Sequence, residues 1–264
     1  MHSILLLILA FVATSLGALT GMGGGLLIKP ILDASAQFDA DMVNLLSTIS
    51  VLTMASVTVG KRTLARARTD EPRPVAAAVV VPLAIGAVLG GWIGGLWISR
   101  LIAADEQSSL VLQNTMLAGL VILILIYMHR KEKLRRFSLS GILPSFTVGL
   151  FSGTLASFLG IGGGPFNVAA MILLFSYTTK QAAFASLVII LFSQSAKTLE
   201  LIWVGSFADW EARLIIPMVI GAILGGSIGS ILQRRMSEQM VEHAFRGMQY
   251  VVLALCLWNI ANGV

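Results

Sequence analysis

"GMGGGLLIKP" at 21–30 and "GIGGGPFNVA" at 160–169 decide how this chain is read. Each packs four glycines into five residues at the end of an apolar run and continues into a second apolar stretch. A glycine in a helix interior costs about 1 kcal/mol relative to alanine, so the clusters mark helix breaks. What surrounds them says where the breaks lie. The 264 residues are 56% hydrophobic and only 12% charged, about half the charged fraction of a soluble domain. Apolar runs of 17 to 26 residues recur at 3–19, 42–60, 74–99, 108–128, 141–159, 181–203, 211–232 and 244–262. Each has about the length a helix needs to cross hydrocarbon. The composition therefore predicts an all-α polytopic membrane protein.

The first run has no Lys or Arg before it and leads straight into the glycine cluster, so it reads as a retained segment and not a signal peptide. Cys256, the single cysteine, lies in the last run and reads as a small packed side chain. The net charge of +5 does not point to nucleic acid. The basic residues cluster between apolar runs, as Lys61, Arg62, Arg66, Arg68, Arg73 and as Arg130, Lys131, Lys133, Arg135, Arg136. That is the positive-inside distribution.

The sequence also repeats itself. "PLAIGAVLGGWIG" at 82–94 matches "PMVIGAILGGSIG" at 217–229 in nine of thirteen positions, at an offset of 135, and the two glycine clusters match at an offset of 139. Two homologous halves follow, 1–128 and 141–264, joined by a basic cytoplasmic linker, 129–140. Equivalent loops carry opposite charge: 61–73 is basic, whereas its counterpart near 200–211 holds Glu200, Asp209 and Glu211. The loop with Asp105 and Glu106 corresponds to one with Arg234 and Arg235. Swapped sides predict inverted-topology repeats with both termini outside the cytoplasm. Inversion needs an odd number of crossings per half. Three long helices supply it if each glycine cluster sits in a helix–break–short-helix hairpin, placing Gln37 outside and Thr178 inside; two full crossings are the alternative.

Backbone at membrane depth must be hydrogen-bonded, buried or facing a polar cavity. A Gly-x-Gly-Gly-Gly break leaves N–H groups free at the start of the next helix, where the helix dipole is also positive, so the pair forms an anion site. Candidate substrate-lining residues are Gly23, Gly24 and Gly25 of the first cluster and Gly162, Gly163 and Gly164 of the second. Polar residues within spans join them: Lys29, Asn44, Ser47, Thr48, Asn167, Ser186, Gln194 and Lys197. Lys29 and Lys197 either supply charge to an anion or snorkel to the interface. Gly86, Gly90 and Gly94, with Gly221, Gly225 and Gly229, recur every four residues. They read as a packing ridge between the halves or between the protomers of a homodimer. His129 and His243 sit at helix ends and read as surface residues.

Paired G-x-G-G-G clusters, each followed later by IGAxLGGxIG, resemble the TauE/SafE family over nearly the whole chain. The resemblance implies a carrier of the bacterial inner membrane for small sulfur-containing anions, driven by an ion gradient, with periplasmic termini. The expectation is a secondary transporter exporting sulfite or an organosulfonate by alternating access. The proton is its candidate coupling ion. Rival readings are an anion channel, the same carrier moving thiosulfate or sulfoacetate, and a non-transporting scaffold. The sequence contains no H-E-x-x-H, paired-Cys or P-loop pattern, so no enzyme, metal or cofactor is expected.

Overall fold

The computed structural model describes residues 2–35, 37–67, 77–131, 137–159, 163–204 and 212–262. Its elements are α1 (His2–Thr20), α2 (Gly25–Ser35), α3 (Ala40–Ala67), α4 (Ala77–Ala104), α5 (Glu106–Arg130), α6 (Ile142–Phe158), α7 (Gly164–Phe175), α8 (Thr179–Val204), α9 (Ala212–Arg235) and α10 (Glu238–Asn262). Among the described residues there is no strand. Seven helices, α1, α3, α4, α5, α8, α9 and α10, are long and apolar enough to span a membrane. The short ones are α2, α6 and α7, with 11, 17 and 12 residues. Each glycine cluster thus falls between a longer helix and a short one, as the hairpin reading requires.

Helix ends follow local chemistry more than hydropathy. α3 continues to Ala67, beyond the apolar run that stops at 60, because Lys and Arg are good helix formers. Lys61 donates to Ser227 Oγ at 2.7 Å, and the Arg62 guanidinium lies 5.4 Å over the Phe184 ring. In the same way α8 runs to Val204, so Glu200 belongs to that helix and not to a loop; Asp209 and Glu211 lie outside the described residues. Asp105 caps α5 by accepting from the Ser108 N–H at 3.2 Å and its hydroxyl at 2.5 Å. These bonds hold the Asp105 carboxyl below the usual carboxylate range.

The packing is built on glycine. α4 lies on α6 in parallel, with Gly86, Gly90 and Gly94 against the backbone of Phe146, Leu150 and Thr154. α1 lies on α9 in the same fashion, with Gly221, Gly225 and Gly229 against Leu7, Phe11 and Ser15. The ridge expected between halves or between protomers therefore works within one chain. Exchanging α1–α5 for α6–α10 carries the first contact into the second. It also carries α3 on α9 into α8 on α4. α3 and α8 run antiparallel, with Asn44 beside Lys197 at one end and Arg62 beside Phe184 at the other. α5 and α10 do likewise, from Asn114 with Asn259 to Lys131 with Glu242.

The surface is the reverse of a soluble protein's. Leu5, Trp92, Leu123, Trp203 and Trp258 are exposed on the spans, whereas Gln113, Gln194, Gln233, Gln249 and Asn259 are buried. Apolar side chains facing out and polar ones facing in suit a lipid solvent.

A Cβ at Gly90 would overlap the Leu150 carbonyl, while Gly91 beside it has nothing within 4 Å. Gly90→Ala is expected to lose about 1–3 kcal/mol by overpacking, and Gly91→Ala to lose none, measured by thermal unfolding in detergent. The Asp105 cap stabilises the fold in its charged form. Its contribution is fully present above about pH 4 and lost as the pH falls through the depressed native value. The thermal-stability gap between wild type and Asp105→Ala should accordingly close on acidification.

Candidate functional site

The first break is shaped by what lies beneath it. Gly21 and Gly23 adopt φ of 79° and 78°, a left-handed backbone that only glycine takes at little cost. A Cβ at Gly17 would sit 2.5 Å from Gly23 C and Gly24 N, and one at Gly24 would sit 2.7 Å from Thr14 Cγ2. The missing side chains let the chain fold back closely onto α1. Gly21 N–H closes α1 by donating to Gly17 O at 2.9 Å, and Gly24 O accepts from Leu27 and Ile28 N–H at 3.1 Å each. The N–H groups of Gly23, Gly24, Gly25 and Leu26 find no acceptor among the described residues, and all four residues are buried. Four donors are thus left at the positive end of α2.

The second break meets the first. Gly162 lies outside the described residues. Gly163 has φ of 78°, Gly164 opens α7, and Pro165 follows at a position where its missing N–H costs nothing. A Cβ at Gly164 would overlap the Met22 carbonyl, so the two breaks touch. Asn167 donates its N–H to Gly163 O at 3.0 Å, and its Nδ2 lies 3.3 Å from where a Gly163 Cβ would stand. Its Oδ1 is buried with no partner among the described residues.

Ser186, on α8, is fully buried and donates to Gly21 O at 2.7 Å, with Gly164 O 3.4 Å away. The sequence points to this hydroxyl as an anion donor; in the structure it is committed to tying the breaks together. Ser47 and Thr48 are both buried on α3. A Cβ at Gly23 would lie 3.4 Å from Ile190 Cδ1 and 3.6 Å from Val51 Cγ1, where α8 and α3 meet.

The remaining candidates gather around charge. Lys29 is buried on α2, paired with Asp33 at 3.4 Å, and does not snorkel. Lys197 Nζ donates to Asn44 Oδ1 at 2.6 Å, joining the two halves, and Lys29 lies within electrostatic range of it. Lys197 and Gln194 line a cavity of about 500 Å³ between α4, α6 and α8, together with Ser157, Ser193 and Glu200. Ala156 lines the same cavity and packs on Gly163, so one methyl group separates the cavity from the second break.

Sequence reasoning missed the glutamines. Gln113 Nε2 donates to Phe158 O and Gln233 Nε2 to Leu19 O, both at 2.6 Å, so each half caps a free carbonyl before the other half's break. Gln249 holds on α10 the place of Gln113 on α5, as the shared Q-x-x-x-L-A at 113–118 and 249–254 shows. It is fully buried, with neither amide atom partnered among the described residues. The rule that polar residues in spans are functional covers them, and their positions in apolar runs were the available signal.

Ser186→Ala leaves the Gly21 carbonyl buried without its donor. It is expected to cost about 1–3 kcal/mol in thermal unfolding, against a change within about 0.5 kcal/mol for Ser193→Ala, whose hydroxyl bonds only its own helix at Ile190 O.

Comparison with known proteins agrees with this architecture. Over 264 aligned residues the chain is 25% identical to "Probable membrane transporter protein YunE" of Bacillus subtilis (strain 168), covering 91% of this chain and 92% of that protein. A family model described as "Sulfite exporter TauE/SafE" matches residues 6–257. With two glycine breaks in contact inside a bundle of membrane-length helices, and that match over nearly its whole length, the chain belongs to the TauE/SafE family of membrane transporters.

Proposed function

We propose that the protein is a secondary transporter exporting a small sulfur oxyanion, sulfite or an organosulfonate, across the bacterial inner membrane. The observation that carries this reading is the contact between the two glycine breaks: unanswered N–H donors open α2, and Lys29 and Lys197 stand within reach of each other's field. Free N–H donors with cations nearby suit anion binding. An oxyanion accepts from the Gly24, Gly25 and Leu26 N–H groups at one break and from Gly164 at the other, with Asn167 and Gln194 as neutral donors. Sulfur oxyanions match this site because their charge is spread over several acceptor oxygens.

In this proposal residues 1–128 and 141–264 are inverted repeats, joined through 129–140. The antiparallel registers of α3 with α8 and α5 with α10 support that direction. Both termini then lie in the periplasm. The halves rock about the contact of the breaks, opening the α4–α6–α8 cavity on one side at a time.

Sulfite flux into proteoliposomes tests the reading, with sulfate and a neutral solute as controls. Saturable, counterflow-competent sulfite movement is expected; unitary currents would replace the carrier with a channel. Gly24→Ala and Gly163→Ala are expected to abolish flux in protein that still folds, and wild-type flux in both variants would remove the breaks from the site. Lys197→Gln removes a charged donor and is expected to raise KM by about 10- to 100-fold. Cysteines placed at Gln37 and Thr178 should label from opposite sides, outside and inside, while buried Cys256 stays silent. Labelling of both from one side would overturn the inversion.

A further inference from the structure

The Lys29–Asp33 pair is unexplained by packing. The repeat offset of 139 places Val168 and Ile172 at the same positions of α7, and both are buried apolar residues. The fold therefore accommodates hydrocarbon here, and a buried ion pair adds little stability over a well-packed apolar pair. Its orientation is also reversed. The cation lies nearer the start of α2 and the anion nearer its end, two residues from Ser35, against the helix dipole. This arrangement places positive charge toward the break, where side chains of a helix naturally lean.

The surroundings of Asp33 supply a second observation. Asn259 of α10 donates to Pro30 O at 3.3 Å, three residues before Asp33 and on the same face of α2. Asn259 Oδ1 is buried and lacks a donor among the described residues. A carboxylate has no proton to offer that oxygen, whereas a carboxylic acid has one. The charged and titratable groups facing Asp33 are few. On its own helix there is Lys29, and on α10 there is Cys256, close enough to feel the Asp33 charge. Lys197 of α8 interacts electrostatically with Lys29 and with Glu200. The described side chains of α1 carry no charge, and α3 has none between Asp41 and Lys61. Glu242, His243 and Arg246 lie toward the opposite end of α10 from Cys256.

We propose that Asp33 is a proton site coupled to the anion. The proposal rests on the anion-site reading above. An oxyanion entering at the first break takes Lys29 as its counter-ion, and the Lys29 ammonium leaves Asp33. The carboxylate, now buried without a cation, takes one proton from water onto an oxygen and donates it to Asn259 Oδ1. Before binding the site holds one ammonium and one carboxylate; afterwards it holds one ammonium, one oxyanion and a neutral acid. It is neutral in both states, so one proton travels with each monovalent anion. A lone buried charge in either state would be strongly unfavourable.

The test uses methanesulfonate, which takes up no proton near neutrality, and calorimetry at pH 7 in two buffers of different ionisation enthalpy. The wild-type protein is expected to take up about one proton per anion bound, and its affinity to weaken about tenfold per pH unit as the pH rises. Asp33→Asn should bind the anion with no proton uptake and no pH dependence. The double variant Lys29→Val, Asp33→Ile copies the second half and keeps the test open if Asp33→Asn does not fold. It is expected to bind at least about tenfold more weakly, without proton uptake. Binding by the wild type without proton uptake overturns the proposal and leaves the anion site standing. So does proton uptake that survives in Asp33→Asn. Failure of the folded wild type to bind methanesulfonate, sulfate or sulfite overturns the anion site, and the proton site with it.

Discussion

Backbone N–H groups withdrawn from water must be answered by something, and this requirement organises the structure around the two glycine breaks. Helices satisfy it automatically along their length. At 21–24 the ladder stops inside the bundle, and the protein answers only part of what is exposed. The carbonyls are covered: Ser186 donates to Gly21 O, while Gln233 and Gln113 donate to Leu19 O and Phe158 O. The N–H groups at the start of α2 are left over. Donors are thus supplied to these three carbonyls, while the amides at the start of α2 find no acceptor among the described residues.

The same residue type serves two purposes that the structure separates. Along α4 and α9 glycine brings helix backbones into contact, so that each half clasps the first helix of the other. In the breaks it permits positive φ at Gly21, Gly23 and Gly163 and the crossing of Gly164 over Met22. Close packing rigidifies α1 and α6, and the breaks are the places where their direction changes.

The halves share a frame and differ in charge. α7 carries Val168 and Ile172 where α2 carries Lys29 and Asp33. Asn44 reaches Lys197 across the antiparallel pair, whereas Ala183, at the position equivalent to Asn44, packs against Gly21. The repeat supplies a common scaffold, and substitution places a buried ion pair on one short helix where the other has hydrocarbon.

Much was legible in the residues themselves. Hydropathy marked the spans, because lipid demands some twenty apolar residues in a row, and the repeat is written in "IGAVLGG" and "IGAILGG". The glycine clusters announced their breaks because four glycines in five residues oppose a helix whatever surrounds them. Lys29 and Lys197 stood out as charges in apolar sequence, but their partners did not. Ser186 read as a candidate donor to substrate, and its bond to Gly21 O could not be seen. Asp33, Gln113, Gln233 and Gln249 were not among the candidates. Hydrogen-bond partners lie up to 229 residues apart, as for Asn259 and Pro30, and no local pattern encodes such a distance. The sequence alone determined the membrane class, the repeat and the breaks, since these follow from local composition and periodicity. Which donors are spent on the scaffold and which stay free was decided only when the halves packed together, because a hydrogen bond is a property of two positions in space.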